Sequence, residues 1–226
     1  MTVPALVLAA GLGSRYAAAG GVGPKVLATL AGRPLLTHAV DRALGSGCPS
    51  VTVVVHPDLA GTSAVTSLGD APDDPGTDRA TRTVHVVVNP HPADGIGASL
   101  AVGLRALAAR DDTAEACVVL LADQPGVGTA VVTAVVDAWR QSGRPARARY
   151  RDGESHPVVL PRVIWPELLE AHGGAAHGAR GLLAALDVVG VTVDADAPRD
   201  VDLPADLAAA LTTDPTTGGH GTAGHP

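Results

Sequence analysis

The residues best suited to chemistry lie in two short stretches, and both suit phosphate. The first is Leu8-Ala9-Ala10-Gly11-Leu12-Gly13-Ser14-Arg15, which continues through Gly20, Gly21 and Gly23 to Pro24-Lys25. Where no Cβ intervenes, backbone N–H groups can approach phosphate oxygens, and Arg15 and Lys25 can neutralise a triphosphate. Two familiar glycine motifs are excluded on named residues. A Walker loop has Gly directly before its Lys and Ser or Thr after it, where this chain has Pro24 and Val26. A dinucleotide fingerprint begun at Gly11 needs glycine at position 16, which is Tyr16. An ordinary flexible loop would also be glycine-rich, but this one directly follows an apolar run of strand length. The chain holds fifteen arginines and one lysine, Lys25. A lone lysine that has not become arginine points to a need for a compact ammonium, which meets phosphate as a point charge.

The second stretch is Leu120-Leu121-Ala122-Asp123-Gln124-Pro125, with a carboxylate just past an apolar run. There Asp123 either caps a following helix or offers a hard oxygen to Mg²⁺, which usually takes only one or two carboxylates.

These residues need a scaffold, and the hydrophobic pattern supplies one. Apolar runs rich in Val or Leu occupy residues 5–9, 51–55, 84–88, 117–121 and 188–193, without polar alternation. Such runs read as parallel strands buried on both faces. Between them, residues 35–44, 99–110, 130–140 and 179–186 carry apolar residues at helical spacing. The alternation predicts a three-layer α/β domain with a ligand crevice at the carboxyl ends of the strands. Residues 147–161 break the rhythm, and their Asp152-Gly153 turn predicts a β-hairpin or edge pair. Residues 70–78 form an acidic loop, and residues 212–226 are almost free of apolar side chains and read as a disordered tail, leaving one domain over 1–211.

Composition narrows the function. The 46% hydrophobic and 17% charged balance suits a compact fold, and a net charge of −7 disfavours broad nucleic-acid binding. No apolar run reaches the ~18 residues of a membrane span, and the N-terminus lacks a basic leader, so a cytoplasmic protein is expected. Cys48 and Cys117 form no Cys-x-x-Cys pair, and the nine histidines make no His-Glu-x-x-His motif, so neither a disulfide framework nor a zinc site is indicated.

Taken in order, Ala9-Ala10-Gly11 with Arg15, Pro24-Lys25, Leu30-Ala31-Gly32-Arg33-Pro34-Leu35-Leu36 and Asp123-Gln124-Pro125 resemble the nucleotidyltransferases of molybdenum-cofactor maturation. The likeness is greatest to the cytidylyltransferase branch of the MobA-like NTP transferases. Asn89-Pro90, the stretch from Gly95 to Leu100, His156-Pro157-Val158, Gly178-Ala179-Arg180 and the closing Asp200-Val201-Asp202-Leu203-Pro204-Ala205-Asp206-Leu207 extend it over roughly residues 4–210. The resemblance implies a Rossmann-like α/β/α sandwich, mostly parallel, with a small β-hairpin lobe. It implies that Ala9, Ala10, Gly11 and Gly13 line the nucleotide, that Arg15 and Lys25 meet its phosphates, and that Asp123 holds Mg²⁺. Ser99 would lie near the base, or serve only as a helix N-cap. Asp202 would be a second metal or phosphate-side ligand, while His156, otherwise a strand-end histidine, and Arg180 would face the acceptor.

The implied reaction moves a nucleoside monophosphate, CMP from CTP by preference, onto a phosphate of molybdopterin, with a molybdoenzyme or its chaperone as a further partner. An acceptor phosphate near neutral pH already carries roughly 1.5 to 2 negative charges, so no general base is required. Three departures bear on the acceptor: Ala176 stands where the family has Asp, Leu203 where it has Thr, and Ser155 where it has Gly. Transfer to a sugar or polyol phosphate, and a non-catalytic nucleotide sensor or cofactor chaperone, therefore remain alternatives. A methylerythritol-phosphate transferase would carry an aspartate-rich turn where this chain has Ala122-Asp123-Gln124-Pro125. A serine hydrolase would need the last glycine and the preceding strand that Gly97-Ala98-Ser99-Leu100-Ala101 lacks.

Overall fold

The computed structural model describes residues 2–68, 83–110, 113–172 and 186–212. Its main sheet has seven strands in the order β5-β4-β1-β6-β8-β7-β9. These are β1 (Ala5–Ala9), β4 (Ser50–Val55), β5 (Thr83–Val88), β6 (Ala116–Leu121), β7 (Ala146–Tyr150), β8 (Gly153–Pro161) and β9 (Val189–Thr192). A separate small antiparallel hairpin pairs β2 (Thr29–Leu30) with β3 (Arg33–Pro34). The helices are α1 (Ser14–Ala18), α2 (Leu35–Gly45), α3 (Ser63–Thr66), α4 (Ile96–Arg110), α5 (Thr129–Ser142), α6 (Trp165–His172) and α7 (Pro204–Thr212).

Strand β1 pairs in parallel with both β4 and β6, so the chain order reverses across it. That is the switch point where an open α/β sheet leaves a crevice at the strand ends. Every residue of β1 is buried, as its unbroken apolar run requires. Alternation along the strand feeds two cores. Val7 and Ala9 join Leu36 and Val40 of α2 and Val132, Val135 and Trp139 of α5 on one face. Leu6 and Leu8 join Leu100 and Leu104 of α4 and Trp165 of α6 on the other. Helix α4 lies so close to β1 that a Cβ added at Gly103 would sit 2.4 Å from Leu6 Cδ1.

The expected mostly parallel sandwich is thus present, with three local differences. The runs at 84–88 and 188–193, expected to be buried on both faces, form β5 and β9 at the two ends of the sheet, where pairing on one side only leaves them partly exposed. The 147–161 hairpin forms, but β8 pairs antiparallel with β6 and β7 pairs parallel with β9, which places it inside the main sheet instead of at an edge. Ala148 and Val159 explain the insertion, because both are fully buried and need cover on that face. Helix α4 also starts earlier than its apolar spacing suggests, at Ile96 instead of Ser99, because Gly95 with φ of 87° turns the chain in ahead of it. The expected acidic loop at 70–78, residues 179–185 of the expected fourth helix and residues 213–226 lie outside the described residues. No helix among the described residues is long and apolar enough to cross a membrane.

Since Leu104 is fully buried where α4 meets β1, Leu104→Ala should lower the unfolding free energy in urea by about 2–5 kcal/mol. A loss below about 1 kcal/mol would contradict this packing.

Candidate active site

The loop leaving β1 turns on Gly13, whose φ of 61° is a left-handed conformation that glycine adopts without strain. A Cβ there would come within 3.1 Å of Lys25 Cβ, so the loop closes directly over Lys25. The returning segment is anchored by Tyr16, buried with Ala28, Leu30, Leu35 and Val201. Gly21 crosses the Tyr16 ring where a Cβ would be 2.2 Å from a ring carbon. The product is a cleft of about 330 Å³ at the ends of β1 and β6. Ala10, Gly11, Gly13, Arg15, Lys25 and Asp123 border it on one side, and the 92–96 turn with Ser99 borders it on the other.

At the base of the cleft, one ammonium serves two carboxylates. Lys25 Nζ donates to Asp123 Oδ2 at 2.6 Å and to Asp202 Oδ1 at 3.3 Å. Arg15 Nη1 donates to the other oxygen of Asp202. Burial of Lys25 would lower its pKa, but the hydrogen bonds and charges of Asp123 and Asp202 together outweigh it and raise the value above 10.5. Lys25 is therefore a fixed cation.

Asp202 is itself held in place. Asp206 Oδ2 accepts from the Asp202 and Leu203 N–H groups at 2.9 and 2.7 Å, and the Val201 N–H donates to the Asp123 carbonyl at 2.9 Å. Nearby, burial raises the Asp200 pKa; the hydrogen bond from Gln124 opposes this, while the charges of Asp123 and Asp202 add to it and that of Lys25 subtracts.

Two further polar groups border this centre. Gln124 is 7% exposed and its Nε2 donates to Asp200 Oδ1 at 2.8 Å and to Ser155 Oγ at 3.4 Å, tying the Asp123 turn to β8. Asn89, at 1% exposure, donates from Nδ2 to Ser99 Oγ at 3.1 Å. Both lie in motifs that carry the family resemblance, Asn89-Pro90 and Asp123-Gln124-Pro125, but neither was assigned a role from the sequence.

Of the residues expected from sequence, Arg15, Lys25, Asp123 and Asp202 meet in one ion cluster, and Ala10, Gly11, Gly13 and Ser99 line the adjoining cleft. Asp123 caps no helix, since α5 begins at Thr129 behind Gly128. Ser99 is no N-cap either, because it lies within α4. The Ala9 side chain packs in the core beneath the sheet instead of lining the cleft. His156 is a half-buried residue of β8, outside the cleft lining, and its carbonyl accepts from the Tyr150 hydroxyl at 3.0 Å. Burial lifts the Tyr150 pKa to about 12, so that hydroxyl remains a donor. Arg180 and Ala176 lie outside the described residues.

The donor set suits a hard dication. Asp123 and Asp202 already share one cation, and Mg²⁺ needs only one or two carboxylates alongside water and phosphate. Among the described residues no cluster of three or more His, Cys, Asp or Glu could hold a metal ion.

Comparison with known proteins accords with this geometry. Residues 5–193 match the MobA-like NTP transferase domain, and the chain belongs to that family of nucleotidyltransferases. Nicotine blue oxidoreductase of Paenarthrobacter nicotinovorans is 30% identical over 188 residues, covering 80% of this chain and 81% of that protein. CMP-5'-(3-aminopropyl)phosphonate synthase of Streptomyces rubellomurinus is 40% identical over 92 residues, which span 40% of this chain and 13% of that protein. The crystal structure of Rv0371c from Mycobacterium tuberculosis H37Rv superposes with a TM-score of 0.69 at 25% identity, covering 94% of this chain and 99% of that one. A manganese complex of Rv0371c superposes with a TM-score of 0.63 at 26% identity, covering 94% of this chain and 100% of that one.

Removing Lys25 leaves Asp123 and Asp202 facing each other without their ammonium. Lys25→Met should therefore lower the unfolding free energy by about 1–3 kcal/mol, and Asp123→Asn in that background should recover part of the loss. Unchanged stability in the single variant would contradict the shared ion pair.

Proposed function

We propose that this MobA-like NTP transferase moves CMP from CTP onto a phosphate of a small acceptor, molybdopterin, and releases pyrophosphate. The observation that carries this reading is the Lys25 ammonium between Asp123 and Asp202, beside a glycine-lined cleft. Cations that can face phosphates and carboxylates that can face a dication meet there at one point.

In the proposed reaction, an oxygen of the acceptor phosphate attacks the α-phosphorus of the nucleotide. A new P–O bond forms, the bond to the bridging α,β oxygen breaks, and its electron pair leaves with pyrophosphate. Lys25 and Arg15 turn from their carboxylates to the triphosphate oxygens and stabilise the charge that moves onto the leaving group. The open side of Gly11, where a Cβ would meet nothing within 4 Å, leaves the backbone accessible to the nucleotide. Asp123 and Asp202 would hold Mg²⁺, which neutralises phosphate charge when bound. The manganese complex of Rv0371c supports a divalent ion in this family. Choice of CTP is supported by Ala9-Ala10 and Asp123-Gln124-Pro125 and by the name of the Streptomyces relative. Molybdopterin rests on the family likeness, and His156 and Arg180 are the candidates to face it.

The test is pyrophosphate release with Mg²⁺, molybdopterin and each of the four nucleoside triphosphates. CTP should support the fastest turnover, and Asp123→Ala should reduce it by about 100- to 1,000-fold. Full activity in Asp123→Ala would overturn the mechanism, and faster release from GTP would overturn the cytidylyl preference. Tight nucleotide binding without release would favour the sensor reading. An oxidoreductase activity in place of pyrophosphate release would instead follow the name of the Paenarthrobacter relative.

A further inference from the structure

The buried pair Asn89 and Ser99 carries directional information that the ion cluster does not. Asn89 follows β5, and its N–H donates to the Val55 carbonyl at 2.9 Å, which adds one rung to the β4–β5 ladder. Its side-chain amide has a fixed sense. The backbone N–H of His91 lies 2.9 Å from Oδ1, and because an N–H only donates, the atom facing it must be the amide oxygen. The NH₂ group is therefore the one that faces Ser99, at 3.1 Å.

An amide nitrogen donates and does not accept, so Ser99 Oγ must accept from it. That leaves the Ser99 proton to be donated elsewhere. A serine inside a helix commonly gives its proton to the carbonyl four residues back, here Gly95. The described residues show no such bond, and Ser99 borders the cleft.

We propose that Asn89 is a positioning residue that fixes the Ser99 hydroxyl as a hydrogen-bond donor into the cleft, so that the cleft selects a base presenting an acceptor there. This inference rests on the proposed nucleotide site. Cytosine offers two adjacent acceptors, O2 and N3. The pairing edge of guanine instead sets a single acceptor, O6, beside two donors, N1–H and N2–H₂, and a base seated with those donors towards Ser99 would put two donors face to face and leave a buried polar group unsatisfied. One hydrogen bond of fixed polarity thus favours the adjacent O2 and N3 acceptors of cytosine while leaving the triphosphate contacts untouched.

The experiment is calorimetric titration of the full chain, with Mg²⁺, by CTP, GTP and inorganic tripolyphosphate as a base-free probe. The quantity read is the ratio of CTP to tripolyphosphate affinity. Ser99→Ala should reduce that ratio about tenfold and Ser99→Thr, which keeps the hydroxyl, should largely restore it. Asn89→Asp keeps an oxygen for His91 but turns the serine proton inward, so it should reduce the ratio by a similar factor. In the Ser99→Ala background, Asn89→Asp should change the ratio no further.

An undiminished ratio in Ser99→Ala would overturn the inference. So would a further drop from Asn89→Asp when Ser99 is already alanine, or an equal loss of CTP and tripolyphosphate affinity, which marks a purely structural role. A wild-type chain that binds no triphosphate would overturn the nucleotide reading itself, a result distinct from all of these.

Discussion

The sharing of one lysine between two aspartates is the constraint on which the site depends. Lys25 reaches Asp123 across 98 positions of sequence and Asp202 across 177, so the ammonium ties together the first loop, the turn after β6 and the approach to α7. Two carboxylates this close would repel each other if nothing stood between them. The hydrophobic contacts are arranged to keep the lysine there. Tyr16 and Val201 share a small core beneath the loop, and Gly13 allows the loop to close against the lysine's own Cβ.

The charges at this centre suggest how it passes from resting to loaded. Arg15 and Lys25 balance Asp123 and Asp202, so the cluster is formally neutral as it stands. In the proposed reaction, a triphosphate and a dication arriving together would allow an exchange, in which the cations would move to phosphate and the carboxylates to metal. Either ligand arriving alone would leave one half of the cluster uncompensated, which couples the two binding steps. Arg15 is 76% exposed on its side chain and moves at little cost, whereas Lys25 is 10% exposed and must give up a buried ion pair.

Much of this was legible in the sequence where local chemistry is decisive. Five strands announced themselves as Val- and Leu-rich runs, of which β1, β4 and β6 are buried nearly throughout, and the glycine loop was defined by what Pro24, Val26 and Tyr16 exclude. The lone lysine marked its own position. What stayed hidden depends on contacts between distant residues. The place of the 147–161 hairpin within the sheet follows from its pairing with β6 and β9, which no local pattern encodes. The strand parity that turns Ala9 into the core is easily lost in a run of small residues, because Ala10 beside it faces the cleft. Asn89 and Gln124 stand in recognisable motifs, but their roles stay hidden until their partners Ser99 and Asp200 are in place.

In the proposed mechanism Lys25 occupies, by charge, the place a dication would take when nucleotide binds. This claim is tested most directly by titrating Mn²⁺ into the wild type and Lys25→Met without nucleotide and following the free ion by electron paramagnetic resonance. Freed of the competing ammonium, Asp123 and Asp202 in the variant should bind Mn²⁺ about tenfold more tightly than in the wild type, a change of ~1.4 kcal/mol. Equal or weaker binding of Mn²⁺ by the variant would contradict the claim.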